Sequence, residues 1–270
     1  PSSNQFGSSS SSSYQERLTD VFDEVFSNLK VNLNGRQACV PVSAGLDSRL
    51  VLSGLLKHGH QNILAYSYGL RKNSDAAAAE LICKQLQVKW VFIEMTPALI
   101  RKFSKSEVYR DYCKFAFTGD SIPFIQDLYA VDFLLNTLKL VDDNSVFING
   151  NSGDFISGGH IPSALHRLDH IPLGVSEIQF TADEYIKKHF ALWGYSKDKK
   201  IWENFREKIT SKLESLHCSS PNSSVTCAYE ALELIDRQSK FVVSGQRVYD
   251  FFGLKWRLPL WEKPFYDFFK

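Results

Sequence analysis

With 270 residues, 44% of them hydrophobic and 23% charged, and a net charge of +1, the chain has the composition of an ordinary globular protein. Such a balance offers no concentrated basic face, so neither nucleic acid nor an anionic membrane is indicated as a partner. No apolar run approaches the ~18 residues of a membrane span, and the five cysteines form no CxxC pair. A cytoplasmic setting is therefore expected, with Cys39 and Cys83 as small buried hydrophobes.

The chain begins at Pro1, and its single methionine is Met95, so an upstream part is expected. Residues 1–13, with their serine run, read as a linker or disordered segment ahead of a domain over 14–270. From Tyr14 the apolar residues Leu18, Val21, Phe22, Val25, Phe26 and Leu29 keep the spacing of one buried helix face. The stretch 37–42 (QACVPV) predicts a strand, and 50–58 a helix stopped by Gly59. A strand over 63–68, an alanine-rich helix over 75–86 and a strand over 89–95 follow. Further on, 124–140 predicts a helix and 145–149 a strand, and the chain turns mostly helical over 182–190, 201–216 and 228–243. Alternating strands and helices of these lengths imply an α/β fold with a parallel sheet and a helical C-terminal part.

Between the first strand and the next helix lies Ser43-Ala44-Gly45-Leu46-Asp47-Ser48. Backbone N–H groups at a helix start attract anions, the small Ala44 and Gly45 allow close approach, and both serines can donate hydrogen bonds. A carboxylate beside a polyphosphate requires an intervening cation, which suggests Mg²⁺ on Asp47. The same residues would equally suit a plain helix cap. No GxxxxGK[ST] loop is present, which disfavours a kinase or an ordinary ATPase.

SAGLDS resembles the SGGLDS motif of the PP-loop ATP pyrophosphatases, and Arg49 after it is similar to the asparagine synthetase and β-lactam synthetase branch. The run from Ile63 through Tyr68 and Gly69 to Asn73-Ser74-Asp75 resembles that family's second βα unit. Residues 149–159 (NGNSGDFISGG) are similar to the family's SGEGADELFGG, and residues 257–262 (RLPLWE) to its RVPFLD. The resemblance implies a parallel-sheet PP-loop domain, adenine nucleotide α-hydrolase-like, that cleaves ATP to AMP and pyrophosphate with Mg²⁺. It implies an amide synthetase that adenylates a small-molecule carboxylate and passes it to ammonia or an amine. Asp47 and Asp154 would be the catalytic, metal-holding carboxylates. Residues 43–48, Tyr68, Gly69, Gly150 and Gly153 would bind the nucleotide. A glutaminase domain or subunit upstream is a possible partner.

Three departures stand out. The family's glutamate that helps deprotonate the amine corresponds to Asn151, which cannot act as a general base. The following acidic position is Phe155, and the family's downstream lysine has no clear equivalent before the chain ends at Lys270. An impaired ATP- or partner-binding relative, or another PP-loop ligase such as a tRNA-modifying enzyme, therefore stays open. His160 neighbours the second loop and is a candidate for substrate contact. His58, His60, His166 and His170 lack the context of a metal site. Tyr229 and Glu230 are similar to the Tyr–Glu pair of β-lactam synthetases, though burial in a core explains them as well. The aromatic tail from Tyr249 to Phe269 reads as core or as an interface.

Overall fold

The computed structural model describes residues 9–168, 171, 173–191, 198–219 and 224–269, so His170 and Lys270 lie outside the described residues. The first strand, β1 (Ala38–Pro41), runs along the middle of a five-stranded sheet. The others are β2 (Ile63–Gly69), β3 (Lys89–Glu94), β4 (Val146–Ile148) and β5 (Lys255–Arg257), in the order β3-β2-β1-β4-β5. Every pairing is parallel. That geometry explains the continuous apolar runs: Ala38, Cys39 and Val40 are fully buried because helices cover a parallel sheet on both faces. The fold is thus α/β with a parallel sheet.

Among the described residues, six α-helices precede β4: α1 (Ser9–Leu33), α2 (Leu46–Lys57), α3 (Ser74–Gln85), α4 (Pro97–Phe103), α5 (Glu107–Ala116) and α6 (Leu128–Asp132). Helix α1 takes in serines assigned from sequence to the linker, and it buries Val25, Phe26, Leu29 and Leu33. Gly54 of α2 admits the Phe26 ring, since a Cβ there would stand 2.4 Å from Phe26 Cδ1. The helix expected over 124–140 is shorter than its apolar pattern: α6 starts at Leu128 and widens into a π-type turn over Phe133–Thr137. Sequence reading missed α4 and α5, although Thr96 before Pro97 and Ser106 before Glu107 are ordinary helix starts whose hydroxyls accept Leu99 N–H and Tyr109 N–H.

The contacts divide the chain into two units, residues 1–157 with 244–270 and residues 158–243. The first holds the sheet, the short α7 (Gly153–Ile156), and its returning segment of α12 (Arg247–Phe251), β5 and α13 (Lys263–Phe269). The second is helical. It comprises α8 (Ser163–His166), α9 (Val175–His189), α10 (Lys199–Ser219), α11 (Val225–Glu233) and a π-wound stretch over Leu234–Val243. Its own core joins Leu165, Ile178, Ala182, Tyr185, Leu213, Tyr229 and Leu232. The helical part is therefore inserted between β4 and β5, and the chain ends back in the sheet unit.

Candidate functional site

At β1 the strand order reverses direction, β2 and β3 lying to one side and β4 and β5 to the other. Loops leaving the carboxyl ends of β1 and β4 then open on a shared crevice, the usual ligand position in an open parallel sheet. Here that crevice is a cavity of about 840 Å³, within the size range of small-molecule sites.

The β1 loop is tied by its own serines. Ser43 N–H donates to Ser48 Oγ at 3.1 Å, and Gly45 N–H to Ser43 Oγ at 3.1 Å. Helix α2 begins at Leu46, so Asp47 and Ser48 lie in its first turn, and Gly45, the N-cap, supplies no side-chain cap. Instead of capping its own helix, the Asp47 carboxylate accepts the backbone N–H of Asp154 at 3.2 Å. Two glycines make that approach possible. A Cβ on Gly150 would stand 2.7 Å from the Asp47 carbonyl carbon, and one on Gly153 would stand 2.8 Å from Asp47 Cγ and 2.7 Å from Leu260 Cδ1. Between them Ser152 holds a left-handed φ of 74°.

Of the residues expected from sequence to form the site, Ser43, Gly45, Leu46, Asp47, Ser48, Tyr68, Gly69, Gly150 and Asp154 line the cavity. Ala44 and Gly153 do not; Gly153 is a packing position pressed between Asp47 and Leu260. Gly69, at φ 137°, ends β2 beside Asn73, whose Oδ1 caps α3 by accepting Ala76 N–H at 2.7 Å. Asn151 is exposed on the cavity wall, whereas Phe155 is buried with its ring 5.8 Å from Trp261. The 257–262 segment buttresses this loop: Arg257 C=O accepts Asn149 N–H at 3.1 Å, and Leu260 is buried against Gly153.

Four aspartates line the cavity, Asp47, Asp75, Asp127 and Asp154, with no lysine, arginine or histidine among the described lining residues. An anion as charged as a triphosphate needs cations to enter such a site. The donor set of carboxylates, hydroxyls and carbonyls is hard oxygen, which suits Mg²⁺ with phosphate and water completing its shell. Among the described residues no group of three or more His, Cys, Asp or Glu side chains gathers as a metal site.

Sequence reading missed the other end of the cavity. Asp127 accepts from the Tyr68 hydroxyl and, at 3.2 Å, from the Tyr249 hydroxyl. Asn149 Nδ2 donates to Gln246 Oε1 at 2.5 Å and to Tyr249 Oη at 3.1 Å. Burial pushes the Asp127 carboxyl above its ordinary value, against the opposing pull of the two tyrosines. These partners are 59 and 122 residues from Asp127, and the tertiary fold joins them.

In the helical unit, His160 is engaged with the fully buried Glu233, with Arg237 3.6 Å from the same carboxylate. Tyr229 is buried in the core, its hydroxyl 3.2 Å from His189 Nε2. Burial, and after it the Glu233 carboxylate, raises the Tyr229 hydroxyl above its ordinary value. Spacing brings the two together, because residues i and i+4 share a helix face. Cys39 and Cys83 are buried, and burial alone pushes the Cys83 thiol to about 11. No helix among the described residues is long and apolar enough to cross a membrane.

The family model described as asparagine synthase matches residues 34–269. Among solved structures, an NH3-dependent NAD synthetase from Campylobacter jejuni, in complex with the nitrate ion, is similar at 16% identity with a TM-score of 0.37. The match covers 73% of this chain and 93% of that one. No curated protein matches.

Proposed function

Because the chain belongs to the asparagine synthase family, we propose that it is an ATP-dependent, AMP-forming amide synthetase acting on a small carboxylate and on ammonia or an amine. In this reading a substrate carboxylate oxygen attacks the α-phosphorus of ATP, forming an acyl-adenylate and releasing pyrophosphate. The amine nitrogen then attacks the acyl carbon, AMP leaves with the bonding electron pair, and the amine proton passes to solvent or a base. Residues 43–48 cradle the departing phosphates through the backbone at the start of α2 and the hydroxyls of Ser43 and Ser48. Asp47 and Asp154 are the residues that would hold Mg²⁺. Bound there, the ion would supply charge neutralisation at the phosphates. Tyr68, Gly69 and Gly150 line the space left for the nucleotide.

The observation that carries the reading is the closure of the two loops, with Asp154 N–H on the Asp47 carboxylate and Gly150 against the Asp47 backbone. That contact sets both carboxylate-bearing loops on one cavity, the placement a shared cation requires. The test is ATP–pyrophosphate exchange. Asp47→Ala and Asp154→Asn should each lower it at least about a hundredfold, the scale of losing a charge-stabilising group. Full exchange in either variant would sink the proposal.

A second reading has its own observation. Asn151 stands on the cavity wall where a base is needed, and Phe155 is spent on packing against Trp261. ATP bound without AMP release, under any amine tried, would mark a binding protein. The glutaminase partner and the cytoplasmic setting remain proposals of the same reading.

A further inference from the structure

The peptide unit that joins β1 to residues 43–48 is held at both of its polar ends. Pairing between β1 and β2 ends at Pro41 opposite Tyr66, where Val42 N–H donates to the Tyr66 carbonyl at 2.8 Å. One rung further, the parallel register would bring Tyr68 N–H to the Val42 carbonyl. A side chain takes that carbonyl instead: the Ser67 hydroxyl donates to it at 2.6 Å. The other end of the same peptide is Ser43 N–H, which donates to Ser48 Oγ at 3.1 Å. Because a peptide unit is planar, the two bonds together fix its rotation.

The Ser67 hydroxyl is itself aimed. Its oxygen accepts the Trp90 indole N–H from β3 at 3.0 Å, and a hydroxyl carries one proton, which is left for Val42. Ser67 sits between two tyrosines of β2 at 6% exposure, and it lines the cavity together with Val42. A buried hydroxyl costs free energy unless it is paired, and here both bonds converge where two strands part. Trp90 on the edge strand, Ser67 on β2 and the carbonyl beyond β1 thus form one chain of hydrogen bonds.

We propose that Ser67 is a positioning residue for residues 43–48. Its hydroxyl, aimed by Trp90, sets the angle at which they leave β1 and so the direction of their backbone N–H groups. It acts through the Val42–Ser43 peptide and not on the phosphates themselves. The proposal rests on the synthetase reading for what the loop holds, with magnesium pyrophosphate as the product released there.

The test is calorimetric binding of magnesium pyrophosphate to the full chain, beside hydrogen exchange of amides 43–48 in the ligand-free protein. Ser67→Ala removes both bonds of the hydroxyl. It should weaken pyrophosphate about threefold to tenfold, the scale of one hydrogen bond, and lower the protection of amides 43–48. Ser67→Thr keeps the hydroxyl on a residue suited to a strand, and should stay within about twofold of the wild type in both readouts. Trp90→Phe keeps a ring beside Phe92 and frees the hydroxyl to turn, so its effect should fall between the two. A role in stability alone would lower the thermal midpoint of Ser67→Ala and leave pyrophosphate affinity, measured well below that midpoint, unchanged. That result, or a Ser67→Thr variant as weak as Ser67→Ala, overturns the proposal.

The two readouts keep this role and the synthetase reading apart. Wild-type pyrophosphate binding that Ser67→Ala leaves unchanged removes the positioning role and spares the reading. No pyrophosphate binding by the wild type, with protection lost in Ser67→Ala and kept in Ser67→Thr, fells the reading and leaves Ser67 setting the loop. Unchanged protection in Ser67→Ala overturns the positioning role whatever the wild type binds.

Discussion

Gly150 shows how one residue sets the geometry of two loops. Its absent Cβ leaves room for the Asp47 carbonyl and for Ser48 N, which that atom would meet at 2.9 Å. The obstacle is backbone, so no rotamer change relieves it. Gly150→Ala should therefore push the β4 loop off α2 at a cost of about 1–3 kcal/mol, as overpacking does. A lowered thermal midpoint with much weakened ATP–pyrophosphate exchange is the expected result, whereas an unchanged midpoint would mean the loops have slack. That Asp47 and Asp154 share one cavity was expected from sequence because each sits in a short run that resembles a family motif. Asp127 was not, since nothing around it distinguishes it from a helix cap. Tyr66 and Tyr249 sat inside apolar runs where an aromatic reads as packing.

At the scale of elements, β1, β2 and β4 were readable because a parallel sheet buries both faces of its inner strands, and the edge strand β3 because Trp90 to Ile93 is apolar between charged ends. Strand β5 was not: it is a three-residue edge strand, Lys-Trp-Arg, with two of its residues exposed. Short, charged edges are how sheets avoid further pairing, and they erase the apolar signal. Helix α4 has no buried residue, so periodicity had nothing to report and its Thr–Pro start was the only mark. The helical unit carries a pH dependence of its own. On α9, burial lowers the His189 pKa from 6.5 to about 4, although Glu233 pulls the other way. A histidine with a lowered folded pKa is protonated first in the unfolded chain, so stability falls as pH drops through that window. The Glu233 carboxyl is lowered from 4.5, its burial outweighed by His160 and the other nearby cations, so its stabilisation is present above that value and lost below it. Both groups thus act in the same direction. The protection of amides in α9 and α11, taken relative to the intrinsic exchange rate at each pH, should fall from about pH 6.5 downward. His189→Phe, which keeps the ring beside Tyr185, should remove the upper part of that dependence; an unchanged profile would assign it elsewhere.

For the whole molecule, the decisive feature is that the chain leaves the sheet unit after residue 157 and re-enters it at 244. The last segment is not an appendage. Strand β5 pairs with β4, the Arg257 carbonyl holds Asn149, and Leu260 fills the space beside Gly153. Helix α13 then lies on α1, with the Phe268 ring 4.8 Å from that of Tyr14. Two truncations separate these jobs. Ending the chain after Glu262 removes α13, which packs on both α1 and α7, so stability should drop while β5 and Leu260 stay beside the β4 loop. Ending it after Gly253 removes β5 and Leu260 as well. The β4 backbone then loses its β5 partner, the site loop loses its floor, and Asp154 is no longer held to Asp47. Cooperative unfolding should survive the first cut at a lower midpoint and vanish with the second, together with all pyrophosphate exchange. Equal behaviour of the two truncations would show that α13, and not the β4–β5 pairing, holds the loops together.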